Sequence, residues 1–171
     1  MPANRELFKK YPNLIFIETG SYYGDGIQQA LDAGFKKIYS MESSTEFYKE
    51  CVRRFDGIRK VRLILGESQN VLKKLLIRIN KPVTFWLDAH NEVGSPLIEE
   101  LRIIKQHHIK NHTLLIDDLR TWSIEQNGFN TDILMTEILE INPGYVFTFE
   151  DGYIHGSDII GYEKDILVAK I

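Results

Sequence analysis

The thirteen residues 14–26, LIFIETGSYYGDG, decide the fold. A run of apolar residues ends on Glu18, and Gly20, Gly24 and Gly26 follow within eight positions. Glycine costs conformational entropy unless the backbone must bend sharply or let something approach closely, so this spacing marks a strand that runs into a functional loop. The residues around it repeat the pattern. GIQQALDAG (26–34) reads as a short helix closed by Gly34, KKIYSME (36–42) as a second strand, and TEFYKECVRRF (45–55) as a helix by its Phe47, Cys51, Phe55 spacing. VRLIL (61–65) is a strand, SQNVLKKLLIRI (68–79) an amphipathic helix, and VTFWLD (83–88) a strand. Ser95 caps and Pro96 opens the helix PLIEELRIIKQHH (96–108), which leads to the strand HTLLID (112–117). Strand and helix alternate five times, which predicts an α/β fold with a parallel sheet covered on both faces. The end differs: after a helix TDILMTEILEI (131–141), YVFTFE (145–150) and DILVAKI (165–171) are separated by too little chain for a helical crossover and are expected to pair antiparallel.

Composition bounds the rest. The 171 residues, 43% hydrophobic and 26% charged, suit one globular domain and exclude disordered and fibrous classes. The net charge is −3 with the basic residues scattered, so a nucleic-acid partner is not expected. MPANRELFKKYP does not resemble a signal peptide and no apolar run approaches bilayer length, so neither a membrane association nor export is expected, and the chain is read as cytoplasmic. On that reading the sequon at Asn111 carries no meaning, and the single cysteine, Cys51, is a small buried hydrophobe.

In doubly wound sheets ligands bind outside the carboxyl ends of the strands. The five expected parallel strands end in Glu18, in Glu42, in Gly66-Glu67-Ser68, in Asp88-Ala89-His90 and in Asp117-Asp118. Turn and cap chemistry explains one or two such residues. Five carboxylate-bearing ends on one edge call for a ligand.

Glu18-Thr-Gly-Ser-Tyr-Tyr-Gly-Asp-Gly26 resembles the E/D-x-G-x-x-x-G-x-G motif of class I S-adenosylmethionine-dependent methyltransferases. The resemblance covers essentially the whole chain. It implies a Rossmann-like seven-stranded sheet in the order 3-2-1-4-5-7-6, with the last strand antiparallel. It places Glu18, Thr19, Gly20, Ser21, Gly24 and Gly26 under the methionine part of the cofactor, Glu42 and Ser43 at the ribose, Gly66, Glu67 and Ser68 near the adenine, and Asp88 beside them. A nicotinamide site would prefer G-x-G-x-x-G, which the loop lacks.

FWLDAH with the later LLIDDLR is similar to the metal-binding pattern of the metal-dependent O-methyltransferases, the branch with the catechol and macrocin-type sugar enzymes. The resemblance implies a divalent ion held by Asp88, Asp117 and Asp118, Mg²⁺ first and Mn²⁺ or Ca²⁺ next, since carboxylate oxygens suit hard cations. His90 is the expected base, with Asp88 as its catalytic companion. Arg120 and Trp122 are expected on the acceptor side, and His155 is a further residue that could face the cleft. His107 and His108 fall at a helix C-terminus, where a protonated imidazole is favourable. About a dozen residues precede Leu14, room for at most one short helix, so an open cleft and a sugar or glycan acceptor are expected. The alternatives are a phenol or catechol acceptor, or a binding module that has lost catalysis. The chain is read as one domain, complete or cut from a larger glycan-modifying enzyme, with no oligomeric state assigned.

Overall fold

The computed structural model describes residues 5–90, 94–153 and 160–171. A short helix α1 (Arg5–Lys10) leads to β1 (Ile15–Thr19), and then come α2 (Asp25–Ala33), β2 (Lys37–Glu42), α3 (Thr45–Arg54), β3 (Val61–Leu65), α4 (Ser68–Leu76), β4 (Val83–Leu87), α5 (Leu97–Gln106) and β5 (Thr113–Ile116). A 3-10 turn at Leu119–Thr121, a single-turn helix α6 (Ile124–Asn127) and α7 (Thr131–Ile141) lead into a hairpin of β6 (Val146–Tyr153) and β7 (Ile160–Lys170). One seven-stranded sheet results, in the order β3-β2-β1-β4-β5-β7-β6. Strands β1 to β5 pair in parallel and β7 runs antiparallel to both β5 and β6.

The central parallel strands β4 and β5 are buried along their whole length and largely apolar because both faces are covered. On one face Leu72, Leu76, Leu97, Leu101, Ile104, Leu134 and Ile138 of α4, α5 and α7 pack on Ile17, Phe85 and Leu114. On the other, Leu7 and Phe8 of α1 join Ile27, Ala30, Cys51 and Phe55 against Phe16, Ile38 and Trp86. The expected helices and strands are present with ends shifted by a few residues. Gly34 closes α2 at φ 96°, and the Ser95 hydroxyl accepts from the Leu97 amide at the start of α5.

The histidines near the end of α5 are a correction. His107 is not a protonated residue at an exposed helix terminus: it is buried, and its Nδ1 lies 2.9 Å from His112 Nε2. The Val83 amide donates to His112 Nδ1 at 3.2 Å, so His112 carries its proton on Nε2 and donates it to His107. His107 Nε2–H then donates to the Ile79 carbonyl at 3.0 Å. Every ring nitrogen has one partner in the neutral state, and burial pushes His112 down to about 3 and lowers His107 as well. His108 lies beside His107, with ring centroids 4.5 Å apart.

Candidate functional site

Strand β1 lies at the point where the order of strands reverses, with β2 on one side and β4 on the other. The cleft of about 930 Å³ at the carboxyl ends of these strands is lined by Glu18, Gly20, Ser21, Glu42, Ser43, Gly66, Glu67, Ser68, Asp88, His90 and Asp118, among others. It lies where doubly wound sheets take their ligands. Its size is at the upper end of the ~300–1,000 Å³ range of small-molecule sites.

The glycine loop is demanded first by the protein's own packing. Gly20 has φ 87°, and a Cβ there would lie 2.9 Å from the Asp88 carbonyl oxygen. A Cβ on Gly24 (φ 85°) would strike the Phe55 ring at 2.4 Å, and one on Gly26 would sit 1.8 Å from Glu18 Oε1. The bend around Gly20 is tied down by the Gly20 and Ser21 amides, which both donate to the Met41 carbonyl.

Glu18, although at the cleft wall, is turned into the protein. Its Oε2 accepts from Ser40 at 2.5 Å, and Ser40 in turn meets the Ser21 hydroxyl at 2.5 Å. Burial, opposed by the Ser40 bond and helped by the Glu42 and Asp25 charges, raises it to about 8. Glu42 behaves differently. Oε2 accepts from the Tyr22 amide at 2.8 Å and Oε1 from the Ser44 amide at 2.7 Å. Each oxygen keeps a lone pair for a further donor, so the carboxylate is fixed in direction and able to accept from both hydroxyls of a diol. Tyr22 is held at φ 48°, a strained value for a side chain with a Cβ. Its ring packs on Tyr23 and Phe47 with centroids 4.4 and 4.5 Å away, on the cleft wall beside Glu42.

On the far side of β1, Asp88, His90 and Asp118 converge. His90 Nε2 is 3.0 Å from Asp118 Oδ2 and 3.7 Å from Asp88 Oδ1. One ligand-type atom from each of the three lies within 4.8 Å of the others. Asp117 groups instead with Asp118 and Asp165. Of the three aspartates expected as one ligand set, Asp118 belongs to both groups, and Asp117 exerts the largest charge effect on Asp88. Burial raises Asp88 well above the ordinary carboxylate range, and the Asp117 charge adds to it. Asp117, nearly inaccessible, is raised to about 7, mainly by burial. Asp118 goes the other way: burial raises it, but the His90 hydrogen bond and the Arg120 charge outweigh that and hold it at about 2.

Arg120 supplies that charge. Its Nη1 is 2.7 Å from Asp118 Oδ1 and also pairs with Asp165, its amide donates to Asp165 Oδ1 at 3.0 Å, and its guanidinium lies 3.9 Å over the Tyr162 ring. Asp165 was invisible as a site residue, because DILVAKI reads as a strand with an ordinary polar start. Arg120 lines the cleft as expected; Trp122 is buried on Phe129 with its indole N–H donated to the Asp117 carbonyl, and its ring meets the His90 ring edge-to-face with centroids 6.0 Å apart. His155 lies outside the described residues.

No family model matches the chain, and no curated protein does. Solved structures do match in fold. An O-methyltransferase from Bacillus cereus, in complex with S-adenosylhomocysteine, superposes with TM-score 0.69 at 11% identity over 98% of this chain and 78% of its own. The O-methyltransferase TomG of Streptomyces achromogenes, involved in tomaymycin synthesis and in complex with S-adenosylmethionine, gives 0.67 at 12% identity over 98% and 77%. An rRNA methylase from Streptococcus thermophilus gives 0.56 at 15% identity over 97% and 92%. The chain has the fold that these methyltransferases share.

Proposed function

We propose that this protein is an S-adenosylmethionine-dependent O-methyltransferase whose acceptor is a hydroxyl of a sugar or glycan. The observation that carries the reading is the placement of Glu42 on one side of the Gly20 loop and of Asp88, His90 and Asp118 on the other, all lining one cleft. Glu42 takes the two ribose hydroxyls, and the Gly20–Gly26 loop with Ser21 and Asp88 faces the methionine part. Glu67 and Ser68, at the start of α4, and Gly66 before them face the adenine. S-Adenosylmethionine supplies a methyl group already activated on a sulfonium.

What remains for the protein is to hold an acceptor oxygen in line and to receive its proton. Orientation of this kind is worth roughly 7–11 kcal/mol in well-aligned systems. Asp118, ionised and buried, accepts from His90 Nε2–H and leaves Nδ1 of the neutral ring as the proton acceptor. An aspartate that orients a histidine in this way also stabilises the imidazolium that forms.

A second reading has its own support in the grouping of Asp88, His90 and Asp118. Two carboxylates and one imidazole fit a divalent ion, and the nitrogen donor favours Mn²⁺ over the Mg²⁺ expected from carboxylates alone. Such an ion would make a bound hydroxyl more acidic. Among the described residues α1, which packs through Leu7 and Phe8 on the α2 face, is not among the walls of the cleft, which supports a bulky hydroxyl-rich acceptor. Among the described residues no helix is long and apolar enough to cross a membrane.

The test is transfer of labelled methyl from S-adenosylmethionine to a panel of glycans, phenols and peptides, with and without chelator. Transfer to glycans supports the proposal. Transfer confined to phenols replaces the acceptor, and transfer to none of the panel in the presence of bound cofactor favours a binding module. Insensitivity to chelator assigns the proton to His90, and restoration by Mn²⁺ assigns His90 to the ion.

A further inference from the structure

Glu100 lies in the first turn of α5, where an acidic residue normally faces solvent and favours the positive end of the helix. Here it is completely buried, while its neighbour Glu99 reaches Arg102 on the surface. The remainder of the buried face of α5 is apolar: Leu97, Leu101 and Ile104. A carboxyl group buried without a cation costs several kcal/mol, so a side chain needed only for packing would not be acidic.

Two hydroxyls meet it. Thr19 Oγ1 donates to Glu100 Oε2 at 3.4 Å, and the Ser68 hydroxyl, which also reaches Gln69 Oε1 at 3.5 Å, is near enough to lower the pKa of the same carboxyl. Among the described residues Glu100 Oε1 has no hydrogen-bond partner within 3.5 Å. Thr19 ends β1 immediately before Gly20, and Ser68 begins α4 and lines the cleft. Thr19 Oγ1 also accepts from the Asp88 amide at 3.4 Å, a donor shared with the Thr19 carbonyl at 3.3 Å. One buried carboxyl therefore connects the ends of β1, β4 and the β3–α4 loop, the three segments from which the methionine and adenine ends of the proposed cofactor site are built.

We propose that Glu100 is a positioning residue for the cleft: its carboxylate draws the Thr19 and Ser68 hydroxyls together and, through Thr19, fixes the Asp88 amide. Glu100 touches neither cofactor nor acceptor and acts only through these neighbours. An ionised carboxylate only accepts and holds its donors by charge-assisted hydrogen bonds, whereas a protonated one becomes a donor on one oxygen and holds the hydroxyls more weakly. Burial raises Glu100 to about 7, against the Ser68 and Thr19 hydrogen bonds, so both forms occur near neutrality. Among the described residues no charged group contributes to that value. β1 and α4 present the two hydroxyls, α7 packs on α5 through Leu134 and Ile138, and Glu140 of α7 pairs with Lys105 on the surface.

The proposal rests on the cofactor reading only in its binding arm. Glu100→Gln keeps the shape and imitates the neutral group. S-Adenosylhomocysteine is titrated into wild type and Glu100→Gln from pH 5.5 to 8.5, and the apo proteins are followed by amide NMR over the same range. Wild type is expected to bind three- to tenfold more tightly than the variant at pH 8.5, with the difference closing below pH 6. Other titrating carboxylates cancel in the comparison. In the apo proteins the Ser68 amide shift, remote in sequence from Glu18, Asp88 and Asp117, is expected to show a titration step near pH 7 in wild type that is missing from the variant. A variant with lowered thermal stability but the same affinity profile and the same amide titrations overturns the proposal. If neither protein binds S-adenosylhomocysteine, the cofactor reading fails, and the NMR comparison alone decides for or against Glu100.

Discussion

Acid should unfold this protein through one identifiable pair of side chains, and the size of the effect follows from the hydrogen bonds. In His112 the Nδ1 lone pair is taken by the Val83 amide and the Nε2 proton by His107. Protonating Nδ1 would set two donors against each other in a site with almost no solvent. The ring is held neutral down to about 3, against an ordinary value of 6.5. A histidine held below its ordinary value contributes its full stability above 6.5 and loses it as pH falls toward the folded-state value. Each pH unit below 6.5 removes about 1.4 kcal/mol, so about 2 kcal/mol is gone by pH 5.

Wild type alone will not display this loss cleanly. Glu18 at about 8, and Asp117 and Glu100 at about 7, have the opposite sign: carboxyls with raised values favour the folded state more as pH falls. The comparison must be a difference against His112→Asn, in which the amide oxygen can still accept from Val83 but no group titrates. Urea unfolding at pH 7.5, 6 and 5 is the assay. The variant is expected to be less stable than wild type at pH 7.5 by about 1–3 kcal/mol, from the lost donor to His107. The gap should shrink by about 2 kcal/mol at pH 5. A gap independent of pH refutes the assigned tautomers and the buried neutral pair.

Gly26→Ala places a Cβ where Glu18 Oε1 lies, and should lower stability by about 1–3 kcal/mol in thermal or urea unfolding as Glu18 is forced off Ser40; an unchanged midpoint would contradict the packing role given to that glycine. Glu18→Gln should gain stability relative to wild type as pH rises from 5 to 8, by up to about 1.4 kcal/mol per pH unit, because the native carboxyl must then ionise while buried; parallel stability curves would show that Glu18 is already charged. Asp118→Asn should reduce kcat by about 10²–10⁴-fold through loss of the ionised partner of His90 while leaving cofactor affinity unchanged; equal losses in both would assign Asp118 to binding. If the Asp88, His90 and Asp118 group holds an ion, Mn²⁺ should raise the melting temperature of wild type but not of Asp88→Asn; no shift in wild type would leave His90 as the base.

The sheet was legible because each parallel strand is a short apolar run between a turn and a helix, and because both faces are covered no polar alternation interrupts it. The strand-end carboxylates followed from that alternation alone. The features that escaped depend on contacts between distant segments. His107 and His112 look like surface residues at a helix end and a strand start, and become a buried pair only because the loop after α4 brings Ile79 and Val83 to them. Glu100 sits in a sequence, LIEELR, whose two adjacent glutamates are equivalent by pattern, and only the rotation of α5 against the sheet separates the buried one from the exposed one. Arg120 and Asp165 meet because β7 returns beside β5, so their pairing could not be read before the topology was known. The glycines follow from the sharp bend of the loop, and the contacts of Gly24 with Phe55 and of Gly26 with Glu18 became visible only in the folded chain.

The claim on which the account turns is that Glu42 is set to receive a nucleoside. Calorimetric titration of S-adenosylhomocysteine into wild type and Glu42→Ala at the same pH tests it. Saturable one-to-one binding by wild type, weakened at least tenfold in the variant by loss of charge-assisted hydrogen bonds, is the predicted result. Absence of binding by the intact protein, or equal affinity in both, contradicts it.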